Sequence, residues 1–286
     1  MSRGKSINLF LMDGDVNGRI KCTLANWTGL AFKIPRTSLD QCKDRPELKQ
    51  TGVYFLFGQD DQENQHFIYV GQAGVRKNGE GILTRLQEHN KNPKKDYWTE
   101  AIALTTSNDS MGPTEISYLE HRFYALAVAA GRYIVKNGND PTPGNPTEEK
   151  ISELEDFIDN ARIIIGTLGH KAFEPLAATD LGADESPADQ LLYCTQGKAN
   201  ATGKRTSDGF VVLAGSRISD TVTRSCPPFA LKKREQLKNL VVGSILQSDV
   251  LFNTPSGASD FVCGSSTSGW VVWKTADGTP LKELLD

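Results

Sequence analysis

The chain has 286 residues, 38% of them apolar and 23% charged, a balance that supports a buried core and excludes a disordered chain. Its 32 Lys and Arg against 35 Asp and Glu leave a net charge of -3, which excludes a uniformly basic coat for nucleic acid. The length suggests about two domains. No run approaches the ~20 apolar residues of a membrane helix, and the apolar segment after Lys5 is too short for a signal peptide, so the chain reads as cytoplasmic.

Along the chain, Ile7 to Met12 is apolar and Asp13-Gly14-Asp15 is a turn signal, which predicts a hairpin within Ser6 to Arg36 that completes the core. Gly52 to Gly58 and Phe67 to Gly71 are β-branched and aromatic runs, predicted as two paired antiparallel strands. A glycine-rich, basic connection leads to a short helix over Ile82 to His89, and Trp98 to Thr106 has strand character. Thr114 reads as the N-cap of the next helix, which should run to Ala130 with Gly131 as its C-cap. Ile151, Leu154, Ile158, Ala161 and Ile165 form a further helical stripe.

The charge then changes sign. Thr147 to Gln190 carries eleven acidic and three basic residues, whereas Gly197 to Leu240 carries nine basic and three acidic, so a boundary is expected near residue 185, beside Gly182, Ala183 and Pro187. Beyond it, Phe210 to Leu213 reads as a strand, Phe229 to Leu246 as a helix and Gly269 to Trp273 as a strand. The predicted fold class is α/β (α+β): a small antiparallel sheet flanked by helices, followed by a small α/β C-terminal domain.

Cys22, Cys42, Cys194, Cys226 and Cys263 are far apart and form no C-x-x-C pair, which argues for reduced thiols and against a zinc knuckle. His66, His89, His121 and His170 include no H-x-x-x-H pair. More telling are polar residues on apolar helix faces. Arg85 and His89, four apart, share the side of Ile82 and Leu86, either as paired inward groups or as a snorkelling cation and a core-edge histidine. Glu120 falls within the stripe Ile116, Leu119, Phe123 and Ala127, where three states are open to it: neutral, paired with a cation such as Arg85, or bound to a metal ion. His121, one position on, should face solvent.

Gly52-Val53-Tyr54, Tyr69-Val70-Gly71, Arg85 and His89 on one helix, Glu120 on the next and an asparagine beyond resemble, in order and spacing, the GIY-YIG nuclease domain over about residues 48 to 145. Phe252 to Ala258 and Gly269 to Trp273 resemble a domain of unknown function often attached to such nucleases. The chain would then comprise a β extension at 1–47, a nuclease-like domain at 48–146, a helix and acidic linker at 147–190 and an accessory domain at 191–286.

The resemblance implies a metal-dependent endonuclease that hydrolyses DNA by in-line attack of water, with RNA also open as substrate. Glu120 would be the sole acidic ligand of Mg2+ or Mn2+, and Arg85 would hold the phosphate as charge develops on it. Tyr54 and Tyr69 would position or activate water, and the general base is open among Tyr54, Tyr69 and His89. Asn137, directly after Tyr133-Ile134-Val135, is preferred over Asn145 as the asparagine that holds the site together. Val75 to Glu80 departs from compact members as an insertion, either a solvated loop or a DNA contact through Arg76 and Lys77. One metal site cuts one strand, so a double-strand cut implies a homodimer or sequential nicking. The alternative is a non-catalytic nucleic-acid-binding or assembly protein that keeps the fold.

In the C-terminal part, Lys204, Arg205, Arg217, Arg224, Lys232, Lys233, Arg234 and Lys238 read as a phosphate-binding surface or as a solvated balance to the acidic segment. Trp270 and Trp273 read as core aromatics, with base stacking as the alternative.

Overall fold

The computed structural model describes residues 4–59, 65–74, 81–176 and 190–284, and the chain forms two compact units, Met1–Pro175 and Leu176–Asp286. Both combine helices with mainly antiparallel strands, the mixed class predicted above. No helix among the described residues is long and apolar enough to cross a membrane.

In the first unit, β1 (Ile7–Leu11), β2 (Ile20–Leu24), β3 (Gly29–Pro35), β4 (Gly52–Gln59), β5 (His66–Ala73), β6 (Glu100–Thr106) and β7 (Ile134–Val135) form one sheet in the order β1-β2-β3-β6-β4-β5-β7. Every pairing is antiparallel except β5 with β7. The N-terminal strands are therefore part of this sheet and no separate extension, because β3 pairs with β6 along its whole length.

Period-two alternation sends the residues of β4 to opposite faces. Val53, Phe55 and Phe57 join the core that includes residues of α2 (Pro113–Ala130) and α3 (Glu148–Thr167), whereas Tyr54 and Leu56 join the core under a third helix, α1 (Ile82–Asn90). With both faces covered, β4 is buried from Gly52 to Gly58, which accounts for its continuous apolar run. The stripe of α3 enters the same core through Leu154, Ile158, Ala161 and Ile165, so this helix belongs to the first unit and not to a linker. The boundary predicted near residue 185 lies outside the described residues.

Helix α2 starts two residues earlier than predicted. Gly112, not Thr114, is its N-cap, because Pro113 is pre-set for the first helical position and the Glu115 carboxylate accepts the Gly112 N–H at 3.0 Å. Gly131 ends it at φ 62°, as expected. His121 is not left to solvent: its Nδ1 lies 2.8 Å from the Pro141 carbonyl oxygen.

At the start of β6, Glu100 joins three segments. Lys33 Nζ lies 2.9 Å from one of its oxygens and His170 Nε2 lies 2.5 Å from the other, while the His170 ring stacks on Phe57 at 3.7 Å. Burial alone would push the Glu100 carboxyl up, but the hydrogen bonds from His170 and Lys33 hold it below the usual carboxylate range. A depressed folded value means that this stability is present above about pH 4.5 and is lost as pH falls through the lower folded value. Glu100→Ala is expected to cost about 1–3 kcal/mol at pH 7 and less below pH 4. Urea unfolding at both pH values checks this, and an equal loss at both would refute it.

In the second unit, β8 (Leu192–Gln196), β9 (Ala199–Thr206) and β10 (Gly209–Val212) are followed by α4 (Pro228–Gln236), a hairpin of β11 (Val241–Val242) and β12 (Ile245–Leu246), β13 (Val250–Phe252), α5 (Pro255–Cys263) and α6 (Gly269–Val272). The main sheet runs β13-β10-β9-β8, and its core includes Phe210, Phe261 and Trp273.

Two elements differ from those predicted. The helix predicted to Leu246 stops at Gln236, because the β-branched Val241 and Val242 and the positive φ of Gly243 (57°) and Ser244 (67°) make a tight hairpin. Gly269 to Trp273 is a helical turn and not a strand. The Gly269 backbone lies so close to Pro255 that a Cβ there would come within 2.2 Å of its carbonyl carbon, and Trp273 Nε1 donates to the Pro255 carbonyl oxygen at 3.0 Å.

Trp273 is fully buried and Trp270 is 38% exposed. The predicted basic surface also loses two members: Lys204 is buried, and Arg234 turns inward to donate to the carbonyl oxygens of Ser219, Phe261 and Val262.

Candidate active site

Tyr54 and Tyr69 stand on paired strands, where Tyr54 faces Gly71 and Leu56 faces Tyr69 across the β4–β5 ladder. The Tyr54 ring folds over Gly71: a Cβ at that glycine would lie 2.4 Å from both Cζ and the hydroxyl oxygen of Tyr54. Gly52 answers a similar demand, since a Cβ there would meet the Leu104 carbonyl oxygen at 2.1 Å and Ile82 Cδ1 at 2.6 Å. The two glycines thus let β4, β6 and the first turn of α1 approach one another while Tyr54 crosses β5.

Helix α1 buries Ile82, Leu83, Leu86 and His89. His89 Nε2 lies 2.6 Å from the Tyr54 hydroxyl, and the Tyr69 ring meets His89 at 5.2 Å between centroids. Arg85, one turn earlier, stands near enough to the Tyr54 hydroxyl to interact with it electrostatically, and the Tyr69 ring lies 6.3 Å from that of Tyr54. In the His89 tautomer whose Nε2 carries no proton, the Tyr54 hydroxyl donates to that nitrogen. That bond requires a neutral imidazole. Burial, then Lys95, then Arg85 lower His89 to about 4, so it is neutral at pH 7. Burial pushes Tyr54 well above its ordinary value and also raises Tyr69, so both hydroxyls keep their protons.

Arg85 has its ion pair with Glu88 on its own helix, at 2.7 Å, and not with Glu120. That contact holds its proton even more firmly, while the side chain stays 41% exposed. Glu120, on α2, lies beside Gln72 on β5, whose side chain and backbone favour the ionised carboxylate. Gln72 is held in turn by Ser117, its Nε2 lying 3.2 Å from Ser117 Oγ. Burial raises Glu120 above the usual carboxylate range, and neither Gln72 nor the more distant charge of Arg85 cancels that. Of the states open to it from sequence, direct pairing with Arg85 is not the one observed.

Asn137 completes the edge. Strand β7 pairs only with Phe67 and Ile68 of β5, and the Asn137 side chain then accepts the Val70 N–H at 3.0 Å and donates to the Val70 carbonyl oxygen at 2.8 Å. One amide thus continues the ladder across the middle residue of Tyr69-Val70-Gly71. Asn145 lies in the loop after Pro143 and is exposed.

The structure therefore gathers Tyr54, Tyr69, Arg85 and His89 around the Tyr54–His89 hydrogen bond, with Glu120 in electrostatic reach and Asn137 bound behind it. The sequence reading missed Gln72, Glu88 and Lys95. Lys95 ends a short 3-10 turn (Pro93–Lys95) and places Nζ 3.4 Å from the centroid of the Tyr69 ring. Its sequence signal was faint: one of three lysines in five residues, marked out only by the Asn92-Pro93 turn start. Val75 to Glu80, with Arg76 and Lys77, lies outside the described residues.

Comparison with known families finds a Domain of unknown function (DUF4357) at residues 192–285. The chain carries this domain in its second unit, less than half of its length. No curated protein and no solved structure matches the chain.

Proposed function

We propose that the first unit is a GIY-YIG-type nuclease domain and that the protein is a metal-dependent endonuclease hydrolysing the phosphodiester bonds of DNA. The observation that carries this reading is the meeting of Tyr54, Tyr69, Arg85 and His89, drawn from two strands and a helix, beside a carboxylate that lacks a cationic partner among the described residues. A binding scaffold gains nothing by burying such a carboxylate.

Glu120 fits a hard divalent cation. Its raised proton affinity marks a deficit of positive charge, and no cluster of three metal-ligating side chains occurs among the described residues. Glu120 would therefore hold Mg2+ or Mn2+ by one carboxylate, with water and substrate phosphate oxygens as the other ligands. When bound, the cation supplies positive charge to the phosphate oxygens.

The chain's own groups supply the rest. Arg85 is permanently charged and half-exposed, suited to donate to a phosphate as its charge grows. Tyr54 and Tyr69, protonated at pH 7, orient the attacking water, and the Tyr54–His89 hydrogen bond gives a displaced proton a neutral acceptor. All five cysteines are free and buried, which supports action in the reducing cytoplasm.

The test is cleavage of supercoiled plasmid, short duplexes, single-stranded DNA and RNA in Mg2+, Mn2+ or EDTA, by the wild-type protein and Glu120→Ala. Nicking that needs metal and disappears in the variant is expected, with nicked circles preceding linear product if one site acts at a time. Binding without cleavage by the folded wild-type protein would instead favour the non-catalytic reading.

A further inference from the structure

Three lysines follow α1, and they differ in placement. Lys91 and Lys94 are exposed, whereas Lys95 is half-buried against Tyr69. The turn that aims it is locally fixed: Asn92 Oδ1 accepts the Lys94 N–H at 3.0 Å, and the Asn92 carbonyl oxygen accepts the Lys95 N–H at 3.0 Å. Tyr69 is thereby enclosed, with the Lys95 ammonium over its face, His89 against it at 63° between planes and Tyr54 6.3 Å away.

We propose that Lys95 is a positioning residue of this cluster: its ammonium pins the Tyr69 ring and, as a nearby cation, opposes a second positive charge on His89, so that Nε2 remains the acceptor of the Tyr54 hydroxyl. An ammonium on a tyrosine face is attracted by the ring quadrupole, and the contact strengthens as water is removed from it. The charged groups around His89 are Lys95 and Arg85, which disfavour its protonation, and Glu88, which favours it. Around Lys95, burial and the charge of Arg85 lower the ammonium to about 8. The clamp is therefore charged at neutral pH and released in mild alkali. For its effect on cleavage, though not for its effect on His89, the inference rests on the nuclease reading.

The experiment compares the full-length wild-type protein with Lys95→Met, which keeps the stem without the charge, and Lys95→Arg, which stays charged at every working pH. The first readout is the titration of His89 by NMR of its imidazole, assigned with His89→Gln. The wild-type midpoint is expected near 4, the Lys95→Met midpoint displaced upward toward the ordinary ~6.5, and the Lys95→Arg midpoint close to wild type. The second readout is the pH profile of cleavage. Wild-type kcat is expected to fall above pH 8, Lys95→Met to be about ten-fold slower at pH 7, and Lys95→Arg to keep the rate without the alkaline fall.

An unchanged His89 midpoint in Lys95→Met would overturn the proposal, as would a Lys95→Arg protein that behaves like Lys95→Met in both readouts. If no condition gives cleavage but the His89 midpoint moves as stated, the nuclease reading fails and the positioning role stands.

Discussion

Glu120→Gln is expected to lower metal-dependent cleavage by at least about a hundred-fold and, in metal-free protein at pH 7, to raise the thermal midpoint of the first unit. The two effects share one cause. A carboxylate taken from water without a cation is costly, and burial has already raised the Glu120 carboxyl above its ordinary range. Gln keeps the shape and one acceptor oxygen toward Gln72 and removes the charge. Charge relief of this kind at a functional site gives gains of about 0.5–2 kcal/mol, and each kcal/mol moves the midpoint of a unit of this size by about 2–4 °C.

The sign with pH follows from linkage. Because the folded value is raised, the Glu120 contribution is fully favourable below about pH 4.5 and is lost as pH rises through the folded value. The advantage of Gln should therefore be clear at pH 7 and absent at pH 4. Thermal melts at both pH values, in EDTA and in Mg2+, check this. Mg2+ should stabilise the wild-type protein and leave the variant unchanged. A variant less stable than wild type in EDTA at pH 7 would mean that Gln72 alone satisfies Glu120 and that no cation is needed there.

How far such a site can be read from sequence depends on whether the signal is local. The alternation in β4 and β5 and the apolar period of α1 and α2 are local, and so the tyrosine pair, Arg85, His89 and the misplaced Glu120 were all legible. The partner of Arg85 was not. Glu88 is one turn away on a helix and Glu120 is on another element, and sequence alone does not rank a flexible i,i+3 pair against a tertiary one. Lys95 escaped for a related reason: which of three neighbouring lysines turns inward is decided by Tyr69, on a strand more than twenty residues earlier.

Sheet order was hidden in the same way. The pairing of β3 with β6 joins segments about seventy residues apart, so strands that looked like an added hairpin are continuous with the sheet. The overlong helix in the second unit had a readable cause, Val241-Val242-Gly243-Ser244, which favours a turn over helix continuation.

Gly71→Ala should show most directly that the motif glycine and tyrosine form a single steric requirement. Gly71 is not in a left-handed conformation, so backbone freedom does not explain it. What explains it is Tyr54, fully buried and lying across the strand, with no room for a methyl group 2.4 Å from its Cζ and hydroxyl oxygen. The ring has little room to retreat, since it is fully buried and its hydroxyl is bound to His89 at 2.6 Å. Overpacking of this kind costs about 1–3 kcal/mol, and here it must also break the Tyr54–His89 contact. Gly71→Ala is therefore expected to lose that much stability and nearly all cleavage.

Gly138→Ala is the control, because a Cβ there meets nothing within 4 Å, and it should be close to neutral. Urea unfolding of both variants, and of Gly71→Ala in a Tyr54→Ala background, separates the causes. In that background the ring is gone and the added methyl has space, so the second substitution should cost far less than it does alone, a positive coupling between contacting residues. If Gly71→Ala costs the same with and without the Tyr54 ring, the strain lies in the β5 backbone and not in the aromatic crossing, and the glycine serves the strand and not the site.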